Sequence, residues 1–152
     1  MSLTLMSLLV AGAMTSGAEP APPIPAAAAS QSAVQSVPVG DPQRRVLLDT
    51  IRPAIASHIG QPVQFMVDRL QVQGDWAFYA GRIQQPSGRP IDFSRTRYAE
   101  AMQDGMFDGP NTYALLRRKG TRWRLVDWVV GPTDVTYAGW SGEYGAPESL
   151  FE

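Results

Sequence analysis

Every aromatic side chain of this chain lies beyond residue 40. The four Trp, five Tyr and five Phe fall between Phe65 and Phe151, so the core-forming material is concentrated in residues 41–152. Burying an aromatic or large aliphatic side chain contributes roughly 1.5–3 kcal/mol, and a segment of this size can offset backbone ordering without staples. Staples are scarce in any case. The 152 residues include no Cys, which excludes disulfides, a thiol nucleophile, thiolate metal sites and a lipid-modified N-terminal Cys. A single His excludes a multi-His metal centre and leaves at most a carboxylate-rich one; neither a metal nor a cofactor is expected. Thirteen Lys and Arg against fourteen Asp and Glu leave a net charge of -1, without the overall basic balance that nucleic-acid binding requires.

The first eighteen residues are uncharged and contain the apolar run Leu3 to Met14, interrupted only by Thr4, Ser7 and Gly12. That run falls short of the ~20 residues of a membrane-spanning helix and fits the apolar region of a secretory signal. Ser16-Gly17-Ala18 supplies small residues for cleavage before Glu19. No Lys or Arg precedes the run, so a start a few residues upstream of Met1 is expected. Residues 1–18 are thus expected to be a signal peptide, which predicts a periplasmic or secreted protein with no stable membrane anchor after cleavage. From Glu19 to Gly40 the composition shifts to Pro, Ala, Ser and Gln, with Pro20, Pro22, Pro23, Pro25 and Pro38 and one charge, Glu19. Such a stretch has too few large apolar groups to order itself, and residues 19–40 read as a disordered tether.

Residues 41–152 read as one globular domain. Asp41-Pro42 starts a helix: the carboxylate accepts from first-turn amides, and Pro fits where its missing N–H is not needed. Leu47, Leu48, Ile51, Ile55 and Ile59 form its apolar stripe, and Gly60 with Pro62 ends it. Pro53 is expected to kink or split it near Ile51-Arg52. Val63, Phe65 and Val67 then alternate as in a strand, and Leu70 and Val72 continue in the opposite phase. That slip predicts a bulge or bend at Asp68-Arg69. Gln73-Gly74-Asp75 turns the chain into Trp76–Ile83, with Trp76, Phe78 and Ala80 on one face and Ala77, Tyr79 and Gly81 on the other. A second hairpin joins Tyr113–Arg118 to Arg122–Val130 through Lys119-Gly120-Thr121. Between the hairpins, turn residues 85–90 precede a short helix over Thr96–Gln103. After them, Thr133 or Asp134 caps a final helix carrying Tyr137, Trp140 and Tyr144.

This order predicts the α+β class: a kinked N-terminal helix on a four-stranded antiparallel sheet of two hairpins, with helices on one face. Short helices lie in the inter-hairpin loop and at the C-terminus. The element order resembles cystatin-like and nuclear-transport-factor-2-like domains, although the Gln-x-Val-x-Gly signature of cystatins is absent.

Few residues offer chemistry. His58, beside the helix end, reads as a last-turn His facing the negative end of the helix dipole. There is no Gly-x-Ser-x-Gly nucleophile motif, and Asp104–Gly109 lacks the alternating carboxylates and terminal Glu of a calcium loop. Asp127 stands out as an acid between Val126 and Trp128 in an apolar strand; if turned inward it must be paired, and an Arg is the expected partner. Twelve of the thirteen basic residues are Arg, and Arg117, Arg118, Arg122 and Arg124 gather at the second hairpin's turn. That cluster reads as a solvated, salt-bridged tip, with anion binding as the alternative.

The strings Tyr113-Ala114-Leu115-Leu116, Trp123-Arg124-Leu125-Val126-Asp127 and Gly131-Pro132-Thr133-Asp134-Val135, with Trp140 and Tyr144-Gly145-Ala146-Pro147, resemble a group of small exported bacterial proteins without assigned activity. Gly74-Asp75-Trp76-Ala77-Phe78 and Asp41-Pro42 extend the resemblance over most of the domain. It implies fold and export. The functional expectation is a non-enzymatic binding or accessory domain of the bacterial envelope, with an unspecified protein or small-molecule partner. The alternative is a small nuclear-transport-factor-2-like enzyme. There Asp127 would be the acid–base residue of a pocket between helix and sheet, lined by Tyr79, Tyr113 and Trp128.

Overall fold

The architecture is that of a computed structural model, which describes residues 32–152. The signal and cleavage site expected at 1–18, and the tether as far as residue 31, lie outside the described residues. The elements are strand β1 (Gln35–Ser36), helix α1 (Pro42–Ile59), β2 (Gln64–Gln73), β3 (Trp76–Gln84), helix α2 (Ala99–Gln103), β4 (Asn111–Lys119), β5 (Arg122–Val130) and helix α3 (Trp140–Tyr144). Short 3₁₀ turns occupy Phe93–Arg95, Thr136–Gly139 and Glu148–Phe151. The strands form one antiparallel sheet in the order β1-β2-β3-β4-β5. The class is α+β, as the periodicity requires, but the sheet has five strands rather than four.

The fifth strand comes from the end of the expected tether. Gln35 pairs with Val72 and Ser36 with Gln71, and the Val37 amide donates to the Leu70 carbonyl at 2.8 Å. Val37 is buried in the core, and Arg44 Nη1 donates to its carbonyl at 3.0 Å. The folded unit therefore begins ahead of Asp41. Two paired residues and one buried Val have no periodicity to read, so only the tertiary contact reveals them.

Helix α1 begins as its sequence dictates: the Asp41 carboxylate accepts from the Gln43 amide at 2.8 Å, and Gly60 closes the other end in the left-handed region. Leu47, Ile51, Ile55 and Ile59, four residues apart, are its buried stripe. The expected split at Pro53 does not occur, and one helix runs through it. Pro53 lies on the exposed side, so the carbonyl its ring leaves without a donor faces water.

The phase slip in β2 is a bulge: Val67 pairs with Gly81 and Arg69 with Ala80, leaving Asp68 as the extra residue. Phe65, Val67, Leu70 and Val72 consequently all pack on the α1 side. A second bulge, in β5, was not legible. Leu115 pairs with Asp127 and Leu116 with Leu125, so Val126 is the inserted residue. Trp123 and Leu125 therefore face α1 with Trp128, while Val126 and Val129 face the other way.

That other face is not open. The C-terminal segment folds back across it, burying Trp140, Ala146 and Leu150 against Phe78, Ala80 and Leu115. Arg69, turned to this side by the first bulge, lies 5.4 Å from the centre of the Phe78 ring. Its Nη1 donates to the carbonyls of Phe151 and Glu152 at 3.1 and 2.6 Å. The sheet is thus covered on both faces, where helices on one face were expected. The final helix is also shorter than its aromatic spacing implied. Neither Thr133 nor Asp134 caps it by a side chain, and Tyr137 sits in the preceding 3₁₀ turn.

Candidate functional site

The four residues expected to line a pocket do not meet. Tyr79 points into the α1 side of the sheet and is wholly buried among Ile51, Ile55 and Leu116. Its hydroxyl donates to the Arg82 carbonyl at 3.2 Å, and burial raises its pKa well above the ordinary value. Trp128 is half-buried on that same side. Tyr113 packs on the opposite face, with Phe78 and Tyr137. Asp127 is also on the opposite side, held by a residue of the C-terminal segment. The interface between α1 and the sheet, where the enzyme reading needs a cavity, is filled by side chains with no exposed surface. The hollows at Gly40–Arg52, at Met66–Pro110 and beside Tyr98 are lined by none of these four residues.

No Arg pairs with Asp127. One carboxylate oxygen accepts from the Trp128 amide at 2.7 Å and the other from the Tyr144 hydroxyl at 2.8 Å. Strand β5 is a sheet edge, and the carboxylate shields an edge amide that would otherwise be free to pair with another chain. The Tyr144 hydroxyl is pushed up to about 12, first because it donates to the Asp127 carboxylate and then by burial. Asp127 thus ties the edge strand to the C-terminal cover. Tyr144 was visible in the sequence only as one of three spaced aromatics; the β5 bulge is what turns Asp127 toward it.

The one His sits in a different cluster. His58 Nε2 lies 2.7 Å from the Tyr98 hydroxyl, and its ring meets Trp128 edge-on at 4.7 Å. Tyr98 stacks on Phe107 at 4.5 Å, and Phe107 meets Phe93 at 4.8 Å. Burial, and then the Arg97 guanidinium, lower the His58 pKa. Both effects favour the neutral ring, whereas the negative end of the helix dipole favours the imidazolium. Beside Tyr98 runs a groove of about 310 Å3, lined by Ala101, Met106, Phe107, Gly131 and Asp134 among others. Tyr98 belonged to the expected inter-hairpin helix, but its meeting with His58, forty residues earlier, has no local signal. Among the described residues, no nucleophile or second acid hydrogen-bonds to this pair, so it can position an aromatic cluster but lacks a complete acid–base set.

The hairpin tip is less salt-bridged than its composition suggested. Among the described residues Arg118 alone is ion-paired there, its Nε and Nη2 donating to Asp75 Oδ1 at 3.1 and 2.9 Å. Arg117 lies over the Trp76 ring at 4.8 Å. Among the described residues, no group of three or more His, Asp or Glu side chains could hold a metal, and Asp108 of the calcium-like string accepts from Asn111 at 3.0 Å. Also among the described residues, no helix is long and apolar enough to cross a membrane. Set against family models, curated proteins and solved structures, the chain matches none of them.

Proposed function

We propose that this protein is an exported accessory or binding domain of the bacterial envelope that carries out no chemistry of its own. One observation carries the reading: the two side chains suited to acid–base work are engaged separately. His58 is engaged by Tyr98 beside α1, and Asp127 by Tyr144 and the Trp128 amide under the C-terminal segment. General acid–base catalysis needs its groups within reach of one substrate atom. The uncharged first eighteen residues and the cleavage-like Ser16-Gly17-Ala18 support the export half of the reading.

A panel of chromogenic ester, glycoside and phosphate substrates tests the first half. No turnover above that of the buffer is expected. Turnover that disappears in Asp127→Asn or His58→Gln would overturn it and restore the enzyme alternative. For export, N-terminal sequencing of material from the cell envelope or the medium should begin at Glu19. Recovery in the cytoplasm alone, with Met1 retained, would refute it.

A further inference from the structure

The second hairpin ends in a block of like charges that the other described residues leave without an ion pair. Arg117 pairs directly with Arg124 across the strands, and Lys119 directly with Arg122. All four are exposed. Residues two apart on a strand share a face, and Arg117 lies over Trp76, which packs on the side of the C-terminal segment, so the four cations stand together on that side. Opposite side chains in such a ladder are about 5 Å apart at Cβ, and successive ones on a face about 7 Å apart. None of the four forms an ion pair among the described residues, the only salt bridge at the tip being that of Arg118 with Asp75. Like charges placed directly opposite each other destabilise a hairpin, so this arrangement works against folding unless an external anion compensates it.

We propose that this tip docks the domain onto an anionic lipid surface. The pairing of β3 with β4 ends at Trp76 opposite Arg117, so the Lys119–Arg122 pair has no third strand beside it. A projecting two-stranded tip presents its charges outward. It suits a surface rather than a small anion, which needs to be enclosed. Guanidinium groups match phosphate oxygens in a fork, and three of the four cations are Arg. Trp76, half-buried beneath Arg117 on the same face as the four cations, supplies an amphipathic ring that suits headgroup depth. The charge elsewhere orients the contact. Five of the thirteen basic residues lie at this tip with Asp75 as the nearby acid, which leaves eight basic residues against thirteen acidic ones over the remainder. An anionic surface therefore attracts the tip and repels the rest of the molecule. The inference does not rest on export, since vesicle binding is a property of the folded domain.

The test is co-sedimentation of the full chain with vesicles of phosphatidylglycerol and phosphatidylcholine in equal parts, against pure phosphatidylcholine, at low and physiological salt. Binding is expected only to the anionic vesicles and should fall with salt. In Arg122→Glu/Arg124→Glu the two like-charge pairs become opposite-charge pairs. Losing those two cations alone lowers partitioning on the order of thirtyfold, and the reversed charge lowers it further. The same variant should unfold at an equal or higher denaturant concentration than the wild type, because the repulsion is gone, so lost binding cannot be ascribed to lost folding. Arg45→Glu/Arg89→Glu, with the same change in net charge at exposed positions elsewhere, should keep its binding. Absence of binding to anionic vesicles at low salt overturns the proposal, as does equal loss in both double variants. Tip-dependent binding to soluble polyglutamate without vesicle binding overturns it too, in favour of an acidic protein partner.

Discussion

Gly131 is the backbone position on which the aromatic cluster rests, and replacing it with Ala probes that contact directly. It follows β5, is buried, and holds φ at +64°. Its amide donates to the Asn111 carbonyl at 2.7 Å and its carbonyl accepts from the Asp108 amide at 2.9 Å, so the backbone cannot easily relax. An L side chain in the left-handed region costs about 1–2 kcal/mol. A Cβ here would also overlap the edge of the Phe107 ring at Cε2 and Cδ2. That ring is wedged between Phe93 and Tyr98 and has little room to swing aside. Overpacking of this kind adds about 1–3 kcal/mol, which brings Gly131→Ala to a loss of about 2–5 kcal/mol. With a urea dependence of about 1–3 kcal/mol per molar, the unfolding midpoint should fall by about 1 M or more. A double-mutant cycle separates the two parts: with Phe107→Ala already in place, Gly131→Ala should cost only the backbone share of about 1–2 kcal/mol. Equal costs in the two backgrounds, or a single-variant loss below about 1 kcal/mol, would refute the reasoning.

Three further perturbations follow from the same contacts. Because burial lowers the His58 pKa below 6.5, the unfolded chain protonates first. Its contribution is therefore present above that pH and is lost as pH falls through the lowered folded value; the midpoint of His58→Phe should change less than that of the wild type between neutral pH and about pH 5. The Tyr144 hydroxyl, raised to about 12, contributes fully below the ordinary tyrosine value of 10.0 and stops contributing as pH rises through the folded value. A spectrophotometric titration should show phenol ionisation near 12 that is smaller by one group in Tyr144→Phe. A chain beginning at Asp41 loses β1 and the burial of Val37. It should be about 2–3 kcal/mol less stable by denaturant melt, and a loss below about 0.5 kcal/mol would return residues 32–40 to the role of a tether.

Much of the fold was legible because its signals are local. The stripe from Leu47 to Ile59, its Asp41 cap and its Gly60 stop define α1, all close together in sequence around one 18-residue helix. Gly74-Asp75 and Gly120-Thr121 mark the tight turns between neighbouring antiparallel strands. The Asp68 bulge announces itself because the apolar phase on either side of it differs. What required the tertiary structure has its partners far apart in sequence. Val37 is brought into the core by pairing beside β2, some thirty residues further on, and β1 is too short to carry a pattern. The Val126 bulge is masked because Leu125, Val126, Trp128 and Val129 put apolar side chains on both faces of β5, and both faces are covered. That cover gives Asp127 a hydroxyl partner instead of an Arg, while the sheet itself stands between Asp127 and Tyr113 on one face and Tyr79 and Trp128 on the other. Composition placed five cations near one turn, but only cross-strand register showed that four of them oppose one another. A strand's sequence states its period; which residue faces it across the ladder is set by pairing, and pairing is a property of the folded chain.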